Sequence, residues 1–340
     1  RVLFRSVMTI GFGFIGASDI AKNKMLAAIR NTPDCEVVSV YSSNFERGRA
    51  YAAETHIPHA ASSLEDLLAN PAVNAVYIST TNELHHPQTL AAAQAGKHVL
   101  CEKPLAMSLT EAQAMQAACQ AAGVVFATNH HLRNAQAHHK MRELIAAGAI
   151  GKPIAARVFH AVYLREALQG WRLDKPEAGG GVVMDIVVHD VDTLRFVLQA
   201  NPTEVVSLSQ HFGMSAGTVE DGSMAVFRFD NDVIAQVHTA FTVPYAGNGF
   251  EVHGTEGSLI AKNVMHPAAQ PEVLLRTARG DQFLELEANE VYSVGVERFV
   301  AAIQGQGTPA ASGEDGIWSL AGALACLESA QTGQKVAIKL

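Results

Sequence analysis

From Met8 to about Thr128, short apolar runs alternate with alanine-rich helical stretches, and this rhythm constrains the fold more than any other feature of the chain. Strands that recur after each helix lie parallel, because a crossover helix returns the chain to the same edge of the sheet and covers its face. Strands are expected at Thr9 to Ile15, Glu36 to Tyr41, Ala75 to Ser79, His98 to Cys101 and Val124 to Thr128. Helices such as Leu90 to Ala95 and Thr110 to Ala122 fall between them. Beyond Asn129 the pattern changes: a helix near Ala135 to Ala147 and a turn from Gly148 to Pro153 lead into closely spaced apolar runs. These are Ile154 to Val162, Val205 to Gln210, Ser223 to Phe229, Val233 to Phe241, Gly249 to His253 and Ser258 to Ala261, with Gly254-Thr255-Glu256-Gly257 as a hairpin turn. Such spacing predicts a mostly antiparallel sheet, completed by a helix around Gly316 to Ala330 and a strand from Lys335 to Lys339. The expected class is α/β: a doubly wound parallel sheet at 8–128, then an α/β domain at 129–340 with a large, open, mostly antiparallel sheet. Met8 reads as the natural start, with residues 1–7 as a non-native leader.

At 340 residues the chain suits about two domains, and 48% apolar with 17% charged residues is a globular composition. Its 25 basic residues against 33 acidic ones give a net charge of -8, no electrostatic footprint for nucleic acid. Cys35, Cys101, Cys119 and Cys326 are isolated and lack C-x-x-C spacing, so a reducing cytoplasm is the expected location. No apolar stretch approaches the roughly 20 residues needed to span a bilayer, and no membrane partner is expected.

Two registers compete for a phosphate-binding turn. Gly11-Phe12-Gly13-Phe14-Ile15-Gly16 matches G-x-G-x-x-G literally but lies within the first strand, whereas the phosphate turn sits between strand and helix. Gly16-Ala17-Ser18-Asp19-Ile20-Ala21 fits better: Gly16 makes the turn, Ser18 replaces the second glycine and adds a hydroxyl, and Ala21 permits close helix packing. The helix that follows offers free amides to a pyrophosphate, as in a Rossmann domain. The second strand ends Tyr41-Ser42-Ser43 with no carboxylate for a ribose 2′-hydroxyl. Ser42, Ser43 and Arg47 therefore favour NADP(H), whose 2′-phosphate takes hydroxyl and guanidinium donors.

Two polar clusters stand out from apolar surroundings. Glu102-Lys103-Pro104 follows a strand, which puts Lys103 at the carboxyl edge of the sheet where open α/β folds bind ligands. Asp185 and His189 stack at i,i+4 spacing on a helix otherwise built of Val182, Val183, Met184, Ile186, Val187, Val188, Val191 and Leu194. An ammonium, with an imidazole oriented by a carboxylate, can move a proton onto or off a carbonyl or hydroxyl oxygen. The bland alternatives are a Lys-Pro turn and a core ion pair.

The stretch Ala95-Gly96-Lys97-His98-Val99-Leu100-Cys101-Glu102-Lys103-Pro104-Leu105-Ala106, read with Asp185-x-x-x-His189, resembles the Gfo/Idh/MocA family of nicotinamide-dependent oxidoreductases from Met8 to the C-terminal segment. That resemblance implies an N-terminal Rossmann domain joined to a C-terminal open-sheet domain. The segments Gly16-Ala17-Ser18, Ser79 to His85, Thr128 to Asn134, Gly170-Trp171-Arg172 and Gly179-Gly180-Gly181 further imply a keto-sugar substrate, 1,5-anhydro-D-fructose, reduced by NADPH. Carried over, Lys103 is the catalytic lysine, His189 the proton donor and Asp185 the residue that orients the site, all three touching substrate. Gly16, Ala17, Ser18, Asp19, Ile20, Ala21, Ser42, Ser43 and Arg47 match the adenosine-phosphate side of the cofactor. Thr80, Thr81, Asn82, Glu83, Leu84 and His85 match a loop after a strand, and Glu102 and Lys103 approach the nicotinamide. Asn129, Trp171, Arg172 and Tyr292 match further contacts, and Lys103-Pro104 matches a bond that relatives often hold cis. Residues 1–7 and the extra Gly11 depart from the family pattern without touching a site position.

The fifteen histidines, with His130-His131 and His138-His139 near Asp185, His189 and Asp192, raise a metal site, but adjacent histidines point to different sides and ligand spacing is lacking. No metal is expected. Two other functions share the fold: an NAD(P)-dependent polyol or aldose dehydrogenase, and a nicotinamide-sensing regulator, which would have no use for a proton donor. Monomer and homo-oligomer both stay open.

Overall fold

The computed structural model describes residues 9–340 apart from 216, 218 and 267–269; the leader expected at 1–7 falls outside the described residues. The first sheet comprises β1 (Ile10–Ile15), β2 (Cys35–Tyr41), β3 (His59–Ala61), β4 (Ala75–Ile78), β5 (His98–Cys101) and β6 (Phe126–Thr128). Their order is β3-β2-β1-β4-β5-β6, all parallel. β1 and β4 are buried along their whole length, as strands covered on both faces must be. Gly11 and Gly13 belong to this packing: a Cβ on Gly13 would stand 2.8 Å from the Leu67 side chain, so the literal glycine motif makes room for a helix.

The second sheet comprises β7 (Pro153–Ala161), β8 (Pro202–Gln210), β9 (Gly222–Phe229), β10 (Ile234–Ala240), β11 (Gly249–Gly254), β12 (Gly257–Lys262), β13 (Glu272–Thr277), β14 (Gly280–Phe283) and β15 (Val336–Ala337). The order is β14-β13-β12-β11-β7-β10-β9-β8-β15, antiparallel except for β7 beside β10. One face carries the buried Val158, Val237, Phe227 and Phe250; the other exposes Val206, Leu208, Met224, Val226 and Ile234. β11 and β12 form the expected hairpin through residues 255–256.

The chain divides into two compact units. The first holds residues up to Ala106, Thr110–Asn129 and Tyr292–Glu314, so the chain returns to it late; the second holds Met107–Leu109, His130–Val291 and Asp315–Leu340. Sequence reading missed three short strands, β3, β13 and β14, and the helix Val291–Ile303. It also placed Thr80 to His85 in a loop. Only Thr80 and Thr81 lie there, because a helix runs from Asn82 to Gln94 with Pro87 inside it, and that proline masks the helical pattern. The expected helix around Asp185 opens with a π-helical turn, Val183–Val187, and becomes regular from Val188 to Leu198. Among the described residues no helix is long and apolar enough to cross a membrane.

Candidate active site

In the first unit, β1 ends at Ile15 and Gly16 turns the chain with φ +110°, where a Cβ would come within 3.0 Å of the Ser79 carbonyl. The turn therefore needs glycine. Ala17 is buried, Asp19 exposed and Ile20 half-buried at the helical entry, and buried Ala21 opens a π-helical turn to Met25 that continues as Leu26–Asn31. The Ser18 hydroxyl accepts from the Ala21 amide (3.2 Å) and shares a 2.7 Å hydrogen bond with Ser79, so it braces the turn. Arg47 donates to the Ala17 carbonyl at 2.6 Å and the Tyr51 hydroxyl to that of Ser18 at 3.1 Å. Ser42 is buried and accepts from the Asn44 amide at 3.3 Å, while Ser43 and Arg47 are exposed beside it. A cradle that a Cβ would fill and a helix start fit a dinucleotide.

The loop after β4 is held by its own side chains. Thr80 donates to Gln88 and Thr81 to Glu83, each at 2.7 Å. Asn82 is buried, and Glu83 and Leu84 are exposed. His85 is fully buried, its ring nitrogens 2.9 Å from the Pro104 carbonyl and 3.2 Å from that of Thr80. Burial pushes its pKa below the usual imidazole value, and its ring ties two main-chain segments together behind the loop. The Lys103-Pro104 bond is cis. Beside it, Glu102 accepts from the Tyr77 hydroxyl (2.5 Å) and from the Asn129 side-chain amide (2.6 Å). Tyr292 is buried, with the Lys24 ammonium 6.0 Å from its ring centre. The neighbouring Cys101 thiol is pushed far above its ordinary pKa by burial, so it stays protonated and is no nucleophile.

In the second unit, Asp185 sits in the π-helical turn with 16% of its side chain exposed, and Arg172 Nε stands 3.4 Å from its carboxylate. Arg172 also stacks over the Trp171 ring at 4.7 Å and donates to the Leu168 carbonyl at 3.1 Å. His189 lies one turn on, 7% exposed, edge-on to the rings of His131 (5.0 Å) and His130 (6.0 Å). Asp192, which the sequence placed on the same face, is 1% exposed and bound by Arg133, whose Nε donates at 3.0 Å. Arg133 also pairs with Asp315 (3.1 Å), and Asp315 with Arg195 (2.8 Å). Asp192 thus belongs to a buried charge network that carries the helix, while Asp185 reaches the surface.

Several residues escaped the sequence reading. Buried Asp190 accepts from Thr239 (3.0 Å) and bonds His160 Nδ1 (2.7 Å), orienting an imidazole whose ring is 6.5 Å from that of His189. Glu220 accepts from the Val183 amide (2.9 Å), capping the helix that carries Asp185 and His189; burial raises its pKa. Tyr77 had a signal: a tyrosine in a strand buried on both faces needs a partner for its hydroxyl. Among the described residues no group of three His, Cys, Asp or Glu is arranged to hold a metal ion.

Comparison with known proteins bears on the family and the fold. Residues 10–130 match the oxidoreductase family with an NAD-binding Rossmann fold, and residues 138–260 the GFO/IDH/MocA C-terminal domain. The chain is 57% identical to 1,5-anhydro-D-fructose reductase of Ensifer adhaerens, over 96% of this chain and 98% of that one. It is 31% identical to dTDP-3,4-didehydro-2,6-dideoxy-alpha-D-glucose 3-reductase of Streptomyces violaceoruber, over 96% and 94%. Its fold is that of the aldose-aldose oxidoreductase of Caulobacter crescentus complexed with glycerol: TM-score 0.88, 24% identity, 97% and 99% of the two chains covered.

Proposed function

The chain belongs to the Gfo/Idh/MocA family of oxidoreductases, and from that premise we propose that it is an NADPH-dependent reductase of a keto-sugar, converting 1,5-anhydro-D-fructose to 1,5-anhydro-D-mannitol. The carrying observation is a titratable pair, Asp185 and His189, on a helix whose other residues from Val182 to Leu194 are mostly apolar and buried. A carboxylate and an imidazole are costly in such a setting. Asp190 and Asp192 on the same helix are almost wholly enclosed and bound by His160, Thr239 and Arg133, whereas Asp185 and His189 keep part of their surface exposed, as groups that meet a ligand do.

NADPH, when bound, supplies the hydride to C2 of the ketone. Gly16, Ser18 and the helix start receive its pyrophosphate; Ser42, Ser43 and Arg47 receive the 2′-phosphate. Arg47 would exchange its bond to the Ala17 carbonyl for a doubly charged group, which a guanidinium binds in forked geometry. Lys103 stabilises the negative charge that develops on the carbonyl oxygen, and His189 delivers the proton to it. Asp185, held by Arg172, binds the sugar and orients the imidazole. The identity to the Ensifer adhaerens reductase supports the substrate, and the β2 end supports NADPH over NADH.

Spectrophotometric assays test this directly: 1,5-anhydrofructose with NADPH or NADH, against inositol and glucose with NAD or NADP. NADPH oxidation with the anhydro-keto-sugar is the expected outcome. Faster turnover of inositol or glucose with NAD would establish the dehydrogenase instead.

A further inference from the structure

Glu102 stands at the carboxyl end of β5 and takes two hydrogen bonds on one oxygen, Oε1: from Tyr77 Oη at 2.5 Å and from Asn129 Nδ2 at 2.6 Å. Its other oxygen, Oε2, lies 3.4 Å from the Lys103 amide. Both donors are buried: Tyr77 is wholly enclosed in β4 between apolar neighbours, and Asn129 is 4% exposed. Burial, with the Glu102 charge adding to it, keeps the Tyr77 phenol far above its ordinary pKa, so it donates at every working pH. The carboxylate is thereby fixed in direction and drained of charge on one side.

The strand order says what this carboxylate faces. Ser42 follows the end of β2, the Gly16 turn follows β1, and β4, β5 and β6 come on the other side. A dinucleotide with its adenosine beyond β2 and its pyrophosphate at Gly16 extends its other half across the ends of β4 and β5. That places the redox ring near Glu102, on the reading that this unit binds a nicotinamide dinucleotide. The oxidised ring carries one more positive charge than the reduced ring, so a nearby carboxylate favours the oxidised form.

We propose that Tyr77 is a positioning residue which, through Glu102, sets the relative affinity of the site for oxidised and reduced cofactor. By damping the carboxylate, its hydroxyl limits the preference for the oxidised form and helps the reduced form compete, as a reductase requires.

The test is equilibrium binding of NADPH, followed by its fluorescence, with NADP+ measured by displacement, in wild type, Tyr77→Phe and Glu102→Gln. Tyr77→Phe is expected to lower the ratio Kd(NADP+)/Kd(NADPH) by about threefold or more, given what a hydrogen bond to a charged group contributes. Glu102→Gln should raise that ratio, and adding Tyr77→Phe to it should leave the ratio within about twofold, because the charge it acted on is gone. Asn129→Ala removes the second donor to the same oxygen and should shift the ratio in the direction of Tyr77→Phe, which keeps the test available if that variant folds poorly. An unchanged ratio, equal weakening of both ligands or a rise in Tyr77→Phe would overturn the role. Wild-type protein that binds neither nucleotide would instead overturn the dinucleotide reading on which it rests.

Discussion

In the first unit the groups that fit a cofactor are largely main chain: the Gly16 turn, the helix start after it, and a β2 end defined by what it lacks. In the second, the acid–base groups are side chains on a buried helix, held by Glu220 at its start and by Arg133 through Asp192 further along. A site made of backbone follows once the strands and glycines are in place, and tolerates change in the side chains around it. A site made of buried charges depends on each partner, since removing one leaves the other desolvated and unpaired.

The largest contrast is expected from Arg133→Ala, which removes the guanidinium that binds buried Asp192. It should lower stability by about 3–5 kcal/mol in chemical unfolding; a loss below about 1 kcal/mol would show the network to be dispensable. A second effect follows from His138, fully buried in the second unit with its pKa pushed down to about 4. The unfolded chain takes up its proton below about pH 6.5 and the folded one does not, so stability falls as pH drops from 6.5 toward 4. The full interval corresponds to about 3 kcal/mol, and His138→Gln should flatten that slope whatever it does to stability at neutral pH. Smallest is Ser43→Asp, just beyond the β2 end. It should weaken NADPH relative to NADH by about tenfold, near 1.4 kcal/mol, through repulsion of the 2′-phosphate. Its melting temperature should stay close to that of wild type, because Ser43 is solvent-exposed. Should Ser43→Asp unfold the protein and Arg133→Ala leave it intact, the contrast between the units would be reversed.

Both units were legible in outline for the same reason: periodicity survives when strands are fully or half buried, as β4 and β9 are. The phosphate turn was legible because a glycine inside a strand and a glycine after one do different work, which separates Gly11 and Gly13 from Gly16. Strands as short as β3 and β14, of three and four residues, carry no such pattern. The extent of the Asn82–Gln94 helix was hidden by Pro87, and the return of Tyr292–Glu314 to the first unit by its distance along the chain. In the candidate site, Lys103, Asp185 and His189 stood out as polar residues in apolar runs. Their supports did not. Glu220, His160 and Thr239 lie on other elements, and only tertiary packing pairs them with Val183 and Asp190. Asp192 looked equivalent to Asp185 by helical spacing alone, yet Arg133, far away in sequence, claims it for the core.

The most direct test of the division between a binding unit and a proton-handling unit is His189→Ala, assayed for NADPH affinity by fluorescence and for turnover of 1,5-anhydrofructose in the same preparation. Turnover should fall about 100- to 10,000-fold while the dissociation constant for NADPH stays within about twofold. Undiminished turnover, or a loss of activity that merely follows a loss of NADPH binding, would contradict it.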